Sequence, residues 1–493
     1  MKLKIVISLL GLLVATLASA ERKNVLLICI DDLRPQLGCY GHEEVISPNI
    51  DRLASQGVRF DAAYTQQAVC GPSRLTLMTG VRPLGPWELP AKFLKDEWIT
   101  LPRYFRKNGY TTVSVGKIYH QYNDDPQAWD LGPWNPWKDK KFESWQAYVD
   151  PESLHIKAQH RREGGKNGPL FESPDVDDSA YPDGMAADLA IEHLRVVKDQ
   201  PFFMAVGFVK PHLPFNAPKK YWDLYDPATL PMPKRKELPD NISGFGATPL
   251  LVWNEMRQYA GVPETGPVSK ALTRQLIHGY LACISQTDAQ VGRVIAELER
   301  LGLRDKTTVV IWGDHGFKLG DYGAWVKHTN LELDTRIPLI VSAPGRTAPG
   351  RGSDGFVETV DVASTLAELS GLEIPAHWEG SSFVPLLDQP DLEWKRAVFS
   401  RYHSKDSQGQ DAEGSAIRTR DWRYIEWRNR KSGKVLGRDL FDHRKDELES
   451  FNLAGDPRYG DIVDELSALL ADGNGWRSVR NALEAEIDIQ SSR

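Results

Sequence analysis

The chain has little cysteine and no excess of positive charge, and each shortage excludes a class of protein. Four cysteines in 493 residues are too few for a scaffold held by disulfides, and they lack the spacing of zinc ligands. A formal net charge of −7 leaves no basic field to hold nucleic acid, so we expect no such partner. An anionic substrate therefore needs a local cluster of basic residues or a metal ion.

Long apolar runs are absent after the N-terminal segment, so we expect no membrane span in the rest of the chain. That segment combines Lys2 and Lys4, an apolar run from Ile5 to Leu17, and the small residues Ala18-Ser19-Ala20. This order predicts a cleaved signal peptide, residues 1–20, with the cut after Ala20. The protein is therefore expected in a periplasm or outside the cell.

The remaining composition is that of a globular protein, with 41% hydrophobic and 26% charged residues, and the length allows about two to four domains. Continuous apolar runs at 24–30, 201–208 and 307–312 are typical of strands buried on both faces of a parallel sheet. Short strand patterns begin beyond about residue 385 and end in a helical pattern at 462–470. We expect a main domain at 21–385, with an insertion or long loops at 121–183, and a small antiparallel C-terminal subdomain at 386–493.

A short helix is predicted between Cys70 and Gly80. Pro72 suits the first helical position, because its missing N–H would be unpaired there, and Gly80 suits the stop. Cys70 then lies at the start of the helix, where free N–H groups and the dipole favour an anion. Arg74, one turn further on, supplies a permanent positive charge at the same end.

Acidic residues follow two of the buried strands: Asp31 and Asp32 after the first, and Asp314 after the one at 307–312. Ligands of open α/β sheets bind beyond this edge, and adjacent carboxylates are costly there without a cation. Hard oxygen ligands suit calcium or magnesium. For Asp31 and Asp32 alone, a surface turn with an acidic cap remains the alternative.

Basic residues also follow strand patterns. Lys117 and His120 come after the strand expected at 110–115, and His212 comes after the strand at 201–208. These residues converge on one site if the strands share an edge, whereas a lone lysine or histidine is otherwise a surface residue. Four tryptophans of the insertion either stack on sugar rings or pack the insertion onto the body; they are Trp129, Trp134, Trp137 and Trp145.

The run Cys70-Gly71-Pro72-Ser73-Arg74, with Met78-Thr79-Gly80 after it, resembles the signature of the formylglycine-dependent sulfatases. Phrases at 47–54, 116–120, 210–215 and 313–315 resemble the same family, and Gln66–Cys70 is similar to the iduronate 2-sulfatase branch. The resemblance implies an α/β, alkaline-phosphatase-like sandwich. It consists of a large mixed, mostly parallel central sheet flanked by helices, plus a smaller C-terminal antiparallel sheet.

The resemblance also implies roles for residues. Cys70 is expected to be converted to formylglycine (3-oxoalanine) by a formylglycine-generating or sulfatase-maturating enzyme, and its hydrate to attack sulfur. One Ca²⁺, with Mg²⁺ possible, is expected on Asp31, Asp32, Asp314, His315 and residue 70. Sulfate is expected to contact Arg74, Lys117 and Lys327, with His212 as general acid and His120 as base. His328 and Lys210 are expected to bind substrate.

The expected function is that of an exported sulfatase that hydrolyses sulfate esters of a glycan, with a uronate 2-O-sulfate as the leading substrate. Algal polysaccharides such as ulvan or carrageenan are the alternative substrates. A phosphodiesterase or phosphonate hydrolase of the same superfamily is the alternative enzyme, disfavoured because no second set of carboxylates and histidines is evident. A glycan-binding protein without activity is the remaining alternative.

Overall fold

The computed structural model describes residues 23–83, 98–120, 125–142, 146–252, 255–346 and 348–471. The predicted signal peptide and Trp145 lie outside these ranges. The strands are β1 (Asn24–Ile30), β2 (Val58–Phe60), β3 (Ala63–Tyr64), β4 (Thr111–Gly116), β5 (Leu131–Trp134), β6 (Phe171–Glu172), β7 (Phe202–Phe208), β8 (Phe215–Asn216), β9 (Thr307–Gly313), β10 (Leu339–Ser342), β11 (Arg351–Ser353), β12 (Val357–Glu358), β13 (Ala397–Lys405), β14 (Asp411–Thr419), β15 (Trp422–Asn429) and β16 (Val435–Asp442).

The helices are α1 (Pro48–Ser55), α2 (Cys70–Thr79), α3 (Leu101–Lys107), α4 (Pro151–Arg162), α5 (Pro182–Val197), α6 (Lys219–Trp222), α7 (Gly244–Val252), α8 (Lys270–Arg300), α9 (Glu332–Thr335), α10 (Thr359–Leu369), α11 (Val384–Asp388) and α12 (Gly460–Ala471). Among the described residues, none of these helices combines the length and the apolar character needed to cross a bilayer.

An eight-stranded mixed sheet in the order β11-β2-β10-β9-β1-β7-β4-β5 forms the centre of the molecule. Its middle strands β9, β1, β7 and β4 are parallel, while β10 runs antiparallel to β9. Every residue of β1, β7 and β9 is buried, because helices cover both faces of the sheet. The predicted mixed, mostly parallel sheet is confirmed.

Alternate residues of β1 belong to two different cores. Leu26 and Ile28 pack on one face with residues of α1, α5 and α8. Val25 and Leu27 pack on the other face with residues of α2, α3 and α10. This alternation follows from the two-residue period of a strand, so the unbroken apolar run of β1 fills both layers.

The four parallel strands end level with one another at their carboxyl edge. Ile30 pairs with both Phe208 and Gly313, and Gly116 pairs with Gly207. Gly116 has φ +84°, and a Cβ there would lie 2.0 Å from the carbonyl oxygen of Gly207. Glycine is therefore required where β4 leaves the sheet, and the residues that follow all four strands meet at one edge.

A separate four-stranded antiparallel sheet, β13-β14-β15-β16, lies near the C-terminus. Residues of α12 pack on it, with Val463 and Leu466 in the same core as Phe399 and Tyr424. The predicted antiparallel sheet and helix are confirmed, although β16 was not expected as a strand over Val435–Asp442. The boundary at residue 385 stays a prediction; α11 crosses it and β13 begins at Ala397.

The stretch 121–183, expected as an insertion or long loops, contributes more regular structure than its sequence indicates. It contains β5, which pairs with β4 at the edge of the central sheet, and the twelve-residue helix α4. β5 is only four residues long and contains a glycine and a proline, and α4 is largely exposed and polar, which explains why no clear periodicity marks them. All four cysteines are free.

Candidate active site

Cys70 is the first residue of α2 and lies beside the acidic ends of the strands. Its Sγ is 3.2 Å from His315 Nε2 and 4.0 Å from Asp32 Oδ1. One donor atom from each of Asp31, Asp32, Cys70 and His315 lies within 4.8 Å of the others. The helix begins two residues before Pro72, which is compatible because no N–H of a first helical turn needs an intrahelical acceptor.

Three carboxylates share this buried space. Asp31, Asp32 and Asp314 are all fully buried, and the backbone N–H of Asp32 donates to Asp314 Oδ1 at 3.1 Å. Burial raises the pKa of Asp314 to about 7, against the charge of His315. Burial opposes ionisation of Asp31 too, but Lys117, His212 and Arg74 hold its pKa well below the usual range. Such a cluster is stable only with positive charge among its members.

Arg74 supplies part of that charge. Its Nε donates to Asp314 Oδ2 at 2.9 Å, and its second terminal nitrogen lies 3.4 Å from Asp31 Oδ1. The remaining terminal nitrogen donates to the carbonyls of Lys117 and Ile118. The guanidinium is fully buried. These bonds join the two acidic strand ends, and contact of Arg74 with sulfate stays a prediction.

Lys117 and His120 follow β4 and reach the same cluster. The Lys117 ammonium donates to Asp31 Oδ2 and lies 5.5 Å from the ring centroid of Trp137. Burial lowers the pKa of His120, and its hydrogen bond with Cys70 raises it by less, so the net direction is downward. His120 is thus an uncharged imidazole beside residue 70 at neutral pH.

Lys327 and His212 approach from the opposite side and share an acidic partner. Lys327 Nζ lies 2.9 Å from Asp32 Oδ1 and 3.0 Å from Glu255 Oε2. His212 Nε2 lies 2.9 Å from Glu255 Oε1 and 4.0 Å from Asp32 Oδ2. Burial disfavours the charged form of His212, but Asp32 and Glu255 among its neighbours raise its pKa to about 10. The imidazolium form therefore prevails at neutral pH.

The two residues expected to bind substrate have different surroundings. The Lys210 ammonium donates to the carbonyls of His212 and Pro214, so its bonds support the loop that carries His212. His328 is half-buried, and its ring centroid is 6.2 Å from that of Tyr402. Burial and the charge of Lys327 lower the pKa of His328 to about 3, which leaves an uncharged ring. Substrate contact by either residue stays a prediction.

Of the described tryptophans in the 121–183 stretch, two contact other residues of the protein body and one lies near the site. Trp129 stacks near Phe203 at 6.3 Å between ring centroids, and Trp134 donates to Asp139 Oδ2 at 2.8 Å. Trp137 lies near the ammonium of Lys117. Trp137 is therefore the described tryptophan of this stretch whose position suits stacking on a sugar at the site.

Glu255, Lys318 and Asp334 were not predicted from the sequence. Glu255 belongs to an irregular, proline-rich stretch without a motif, so no local signal marks it. Lys318 Nζ donates to the Lys327 carbonyl at 3.0 Å and pairs with Asp334. Lys318 and Asp334 have no exposed side-chain surface. The Lys327 carbonyl and the Asp334 carboxylate meet at the Lys318 ammonium only in the folded loop. The sequence alone therefore does not reveal that this ammonium has two acceptors.

The donor set fits a divalent cation. Donor atoms of Asp31, Asp32, Cys70 and His315 lie within 4.8 Å of one another, and Asp314 Oδ1 lies 3.5 Å from His315 Nε2. Oxygen ligands at high charge density suit calcium or magnesium. His315 Nδ1 faces the carbonyl of Gly316 at 3.0 Å, so Nδ1 carries the hydrogen and Nε2 is the available donor atom when the ring is neutral.

Comparison with known proteins gives consistent matches. Residues 23–372 match the family model described as Sulfatase, and residues 320–474 match that of N-sulphoglucosamine sulphohydrolase, C-terminal. Iduronate 2-sulfatase of Mus musculus is 31% identical over an alignment of 532 positions, gaps included. The alignment covers 91% of this chain and 94% of the relative.

Two solved structures have the same fold. One, a complex with its substrate D-glucosamine-2-N,6-O-disulfate, gives a TM-score of 0.72 at 22% identity and covers 93% of this chain and 98% of its own. Phosphonate monoester hydrolase of Agrobacterium radiobacter gives a TM-score of 0.72 at 23% identity. The match covers 94% of this chain and 96% of the hydrolase chain. The predicted alkaline-phosphatase-like fold is confirmed.

Proposed function

Because the chain belongs to the sulfatase family and is a sulfuric ester hydrolase, we propose that it hydrolyses sulfate esters of a glycan at the Cys70 cluster. The 2-O-sulfate of a uronate is the leading substrate, since the mouse relative, similar over 91% of this chain, is an iduronate 2-sulfatase. The observation that carries the proposal is the buried position of Cys70 beside Asp31 and Asp32, which pair with Lys117 and Lys327 respectively.

The charge around residue 70 favours an anion at that point. Burial and Asp31 would raise the pKa of the Cys70 thiol, yet Lys117, Lys327 and His315 hold it well below the ordinary value. The Sγ atom stands where an oxygen nucleophile would be after oxidation of the side chain. Formylglycine at this position would supply the hydroxyl of its hydrate, and a divalent cation on Asp31, Asp32, Asp314 and His315 would lower the pKa of that hydroxyl.

Two lysines would bind the sulfate group. Lys117 and Lys327 each have 2% of the side chain exposed, and each now pairs with an aspartate. Their charges would neutralise sulfate oxygens in a site from which water is largely excluded, where such charges are most effective. Arg74 would keep Asp31 and Asp314 in place.

Two histidines have opposite protonation states, as acid and base catalysis requires. His212 is charged and lies beside the more exposed Glu255, so it would donate a proton to the oxygen of the departing alcohol. His120 is uncharged and contacts residue 70, so it would accept the proton of the second hydroxyl of the hydrate, which lets the aldehyde re-form and sulfate leave. A sugar alkoxide is a poor leaving group, and proton donation by His212 therefore matters most for glycan esters.

Phosphate or phosphonate esters are the competing substrates, given the fold shared with a phosphonate hydrolase. A second group of potential ligands exists at Glu332, His443 and Glu449. Arg423 donates to both of these glutamates and Arg418 pairs with Glu332, so two arginines already balance their charge. Within the described residues, the Cys70 cluster is therefore the one that suits a cation, and a single-cation sulfatase is favoured.

We further propose export through the N-terminal segment 1–20 and conversion of Cys70 by a maturating enzyme. Cys70→Ala is expected to release no sulfate from 2-O-sulfated uronate disaccharides, ulvan oligosaccharides or 4-nitrophenyl sulfate. Cys283→Ala, which removes another buried free thiol, is the matched control and should keep full activity. Mass spectrometry of the tryptic peptide with residue 70 should show the loss that accompanies oxidation of a thiol to an aldehyde. Sulfate release by folded Cys70→Ala protein would refute the proposal.

A further inference from the structure

Glu255 connects the two positively charged groups on the open side of the site. Its Oε1 lies 2.9 Å from His212 Nε2, and its Oε2 lies 3.0 Å from Lys327 Nζ. Each carboxylate oxygen thus receives a hydrogen bond from one cation. Burial would raise the pKa of Glu255, but Lys327 and His212 hold it well below the usual range, so the carboxylate is charged.

His212 and Lys327, the two donors to Glu255, also have roles in the proposed reaction. His212 Nδ1 faces the carbonyl of Leu213 at 2.6 Å, and a carbonyl only accepts, so Nε2 carries the proton that is available for the leaving oxygen. Lys327 is one of the two lysines placed to bind sulfate. A bound sulfate ester therefore takes from Glu255 the single N–H of His212 and competes with it for the three N–H groups of Lys327.

Exposure rises from the cluster towards Glu255. The Asp32 side chain is fully buried, that of Lys327 is 2% exposed, that of His212 is 7% exposed, and that of Glu255 is 24% exposed. The sulfate end of a substrate points inwards, to residue 70. The alcohol portion consequently lies beside Glu255, at the mouth of the site.

A partly buried carboxylate that loses the donor of His212 needs a new one. Leaving it without one costs free energy that would oppose substrate binding. On a sugar, the hydroxyl next to the sulfate ester is the nearest group that can donate. An ester without that hydroxyl leaves the carboxylate unsatisfied, and one with an anionic group there repels it.

We propose that Glu255 determines specificity by accepting a hydrogen bond from the hydroxyl adjacent to the sulfate ester, so that the preferred substrate class is the monosulfate of a vicinal diol. This inference rests on the proposed function and adds a requirement on the alcohol. It predicts discrimination by one hydroxyl group, independent of the sugar that carries it.

The test compares trans-2-hydroxycyclohexyl sulfate with cyclohexyl sulfate, which differ by that hydroxyl alone. For the wild type, kcat/KM for the hydroxylated ester should be greater by about 100-fold or more, as expected when a site built for a hydroxyl meets an analogue lacking it. Glu255→Ala should reduce the ratio to about 1, and Glu255→Gln, which keeps an acceptor oxygen, should give an intermediate ratio.

The ratio separates specificity from indirect effects. A change in the position or protonation of His212 alters kcat/KM by the same factor for both esters, so the ratio stays the same. Melting temperatures of both variants establish folding, and the exposed Glu413→Gln should leave the ratio unchanged. Equal rates in the wild type, or no release from either ester while 4-nitrophenyl sulfate is cleaved, would overturn the inference and leave the proposed function standing. Absence of Cys70-dependent release from aryl and glycan sulfates overturns the proposed function itself.

Discussion

The Arg74 guanidinium and the Asp314 carboxylate form a fully buried ion pair, with 2.9 Å between Nε and Oδ2. The same guanidinium lies 3.4 Å from Asp31. Since Asp31 follows β1 and Asp314 follows β9, one side chain from α2 holds the ends of two neighbouring strands. The spacing of the acids therefore depends on a residue four positions after Cys70.

Replacement of Arg74 by glutamine should reduce kcat by about 100-fold or more, because preorganised charge at a reacting centre has effects of this size. It should also lower the free energy of unfolding by about 3–5 kcal/mol, since two buried carboxylates lose their partner. Steady-state kinetics and denaturant titrations measure the two effects. Arg103→Gln, which breaks a pair with Asp125 outside the site, is the matched control and should retain kcat. Normal turnover by Arg74→Gln protein would contradict this role.

A divalent cation should stabilise the folded protein through the carboxylate cluster. After chelator treatment, calcium or magnesium at about 100 times its dissociation constant should add about 2.7 kcal/mol to the free energy of unfolding. Thermal unfolding measures this shift without reference to activity. Asp32→Asn should reduce the shift strongly, whereas Asp288→Asn, at a buried acid bonded to Asn49, should preserve it. Identical midpoints in chelator and in either cation would exclude cation binding.

The loop that carries Lys327 is strained and held by a buried ion pair. Val326 has φ +65° and His328 has φ +89°, conformations that side chains other than glycine rarely adopt. Lys318 offsets this strain by donating to the Lys327 carbonyl while paired with Asp334. The position of the Lys327 ammonium therefore depends on Lys318, which does not itself reach the site.

Lys318→Met should lower kcat and raise KM by about tenfold each, because a displacement of a binding group by about 1 Å is sufficient for such losses. Unfolding free energy should fall by about 3–5 kcal/mol, since Asp334 is left unpaired in the interior. Lys395→Met removes a comparable buried ammonium, paired with Glu358 and Asp361, and serves as the control. It should lose stability but keep KM; parallel kinetic losses in both variants would show a general effect of destabilisation.

Acid sensitivity is expected from Glu358, whose carboxylate accepts from Arg82 and Lys395. Burial opposes ionisation, but these two cations lower its pKa from 4.5 to about 2. Because the pKa is lower in the folded than in the unfolded chain, the stabilisation is complete above pH 4.5. It is lost as the pH falls from 4.5 to about 2.

Urea titrations at several pH values can compare the wild type with Glu358→Gln. The wild type should be more stable by about 3 kcal/mol at pH 7, the value that this pKa difference implies, and the gap should narrow below pH 4.5. Glu368 is exposed on α10, the helix that Glu358 caps. Glu368→Gln should have the same free energy of unfolding as the wild type at every pH. A gap that is constant between pH 7 and pH 3 would mean that the charge of Glu358 does not stabilise the fold.

The sequence predicted the parts of the fold and site that depend on local pattern. The run Asn24–Ile30 became β1 with its observed bounds, because a strand buried on both faces is marked by every residue. Asp31 and Asp314 follow such strands, so their meeting at one edge followed from parallel pairing. Glu255 and the Lys318–Asp334 pair could not be found in this way, since their partners are brought near by tertiary contacts across irregular segments.

The burial of Cys70 restricts when an enzyme could oxidise its thiol relative to folding. Only 3% of the residue is accessible in the folded chain, and strand ends far apart in sequence enclose it. An enzyme that oxidises this thiol must therefore reach it while the chain is still open, before β9 joins β1. Under the proposed conversion of Cys70, a molecule that folded before this step would keep its thiol and lack the nucleophile, however stable its fold.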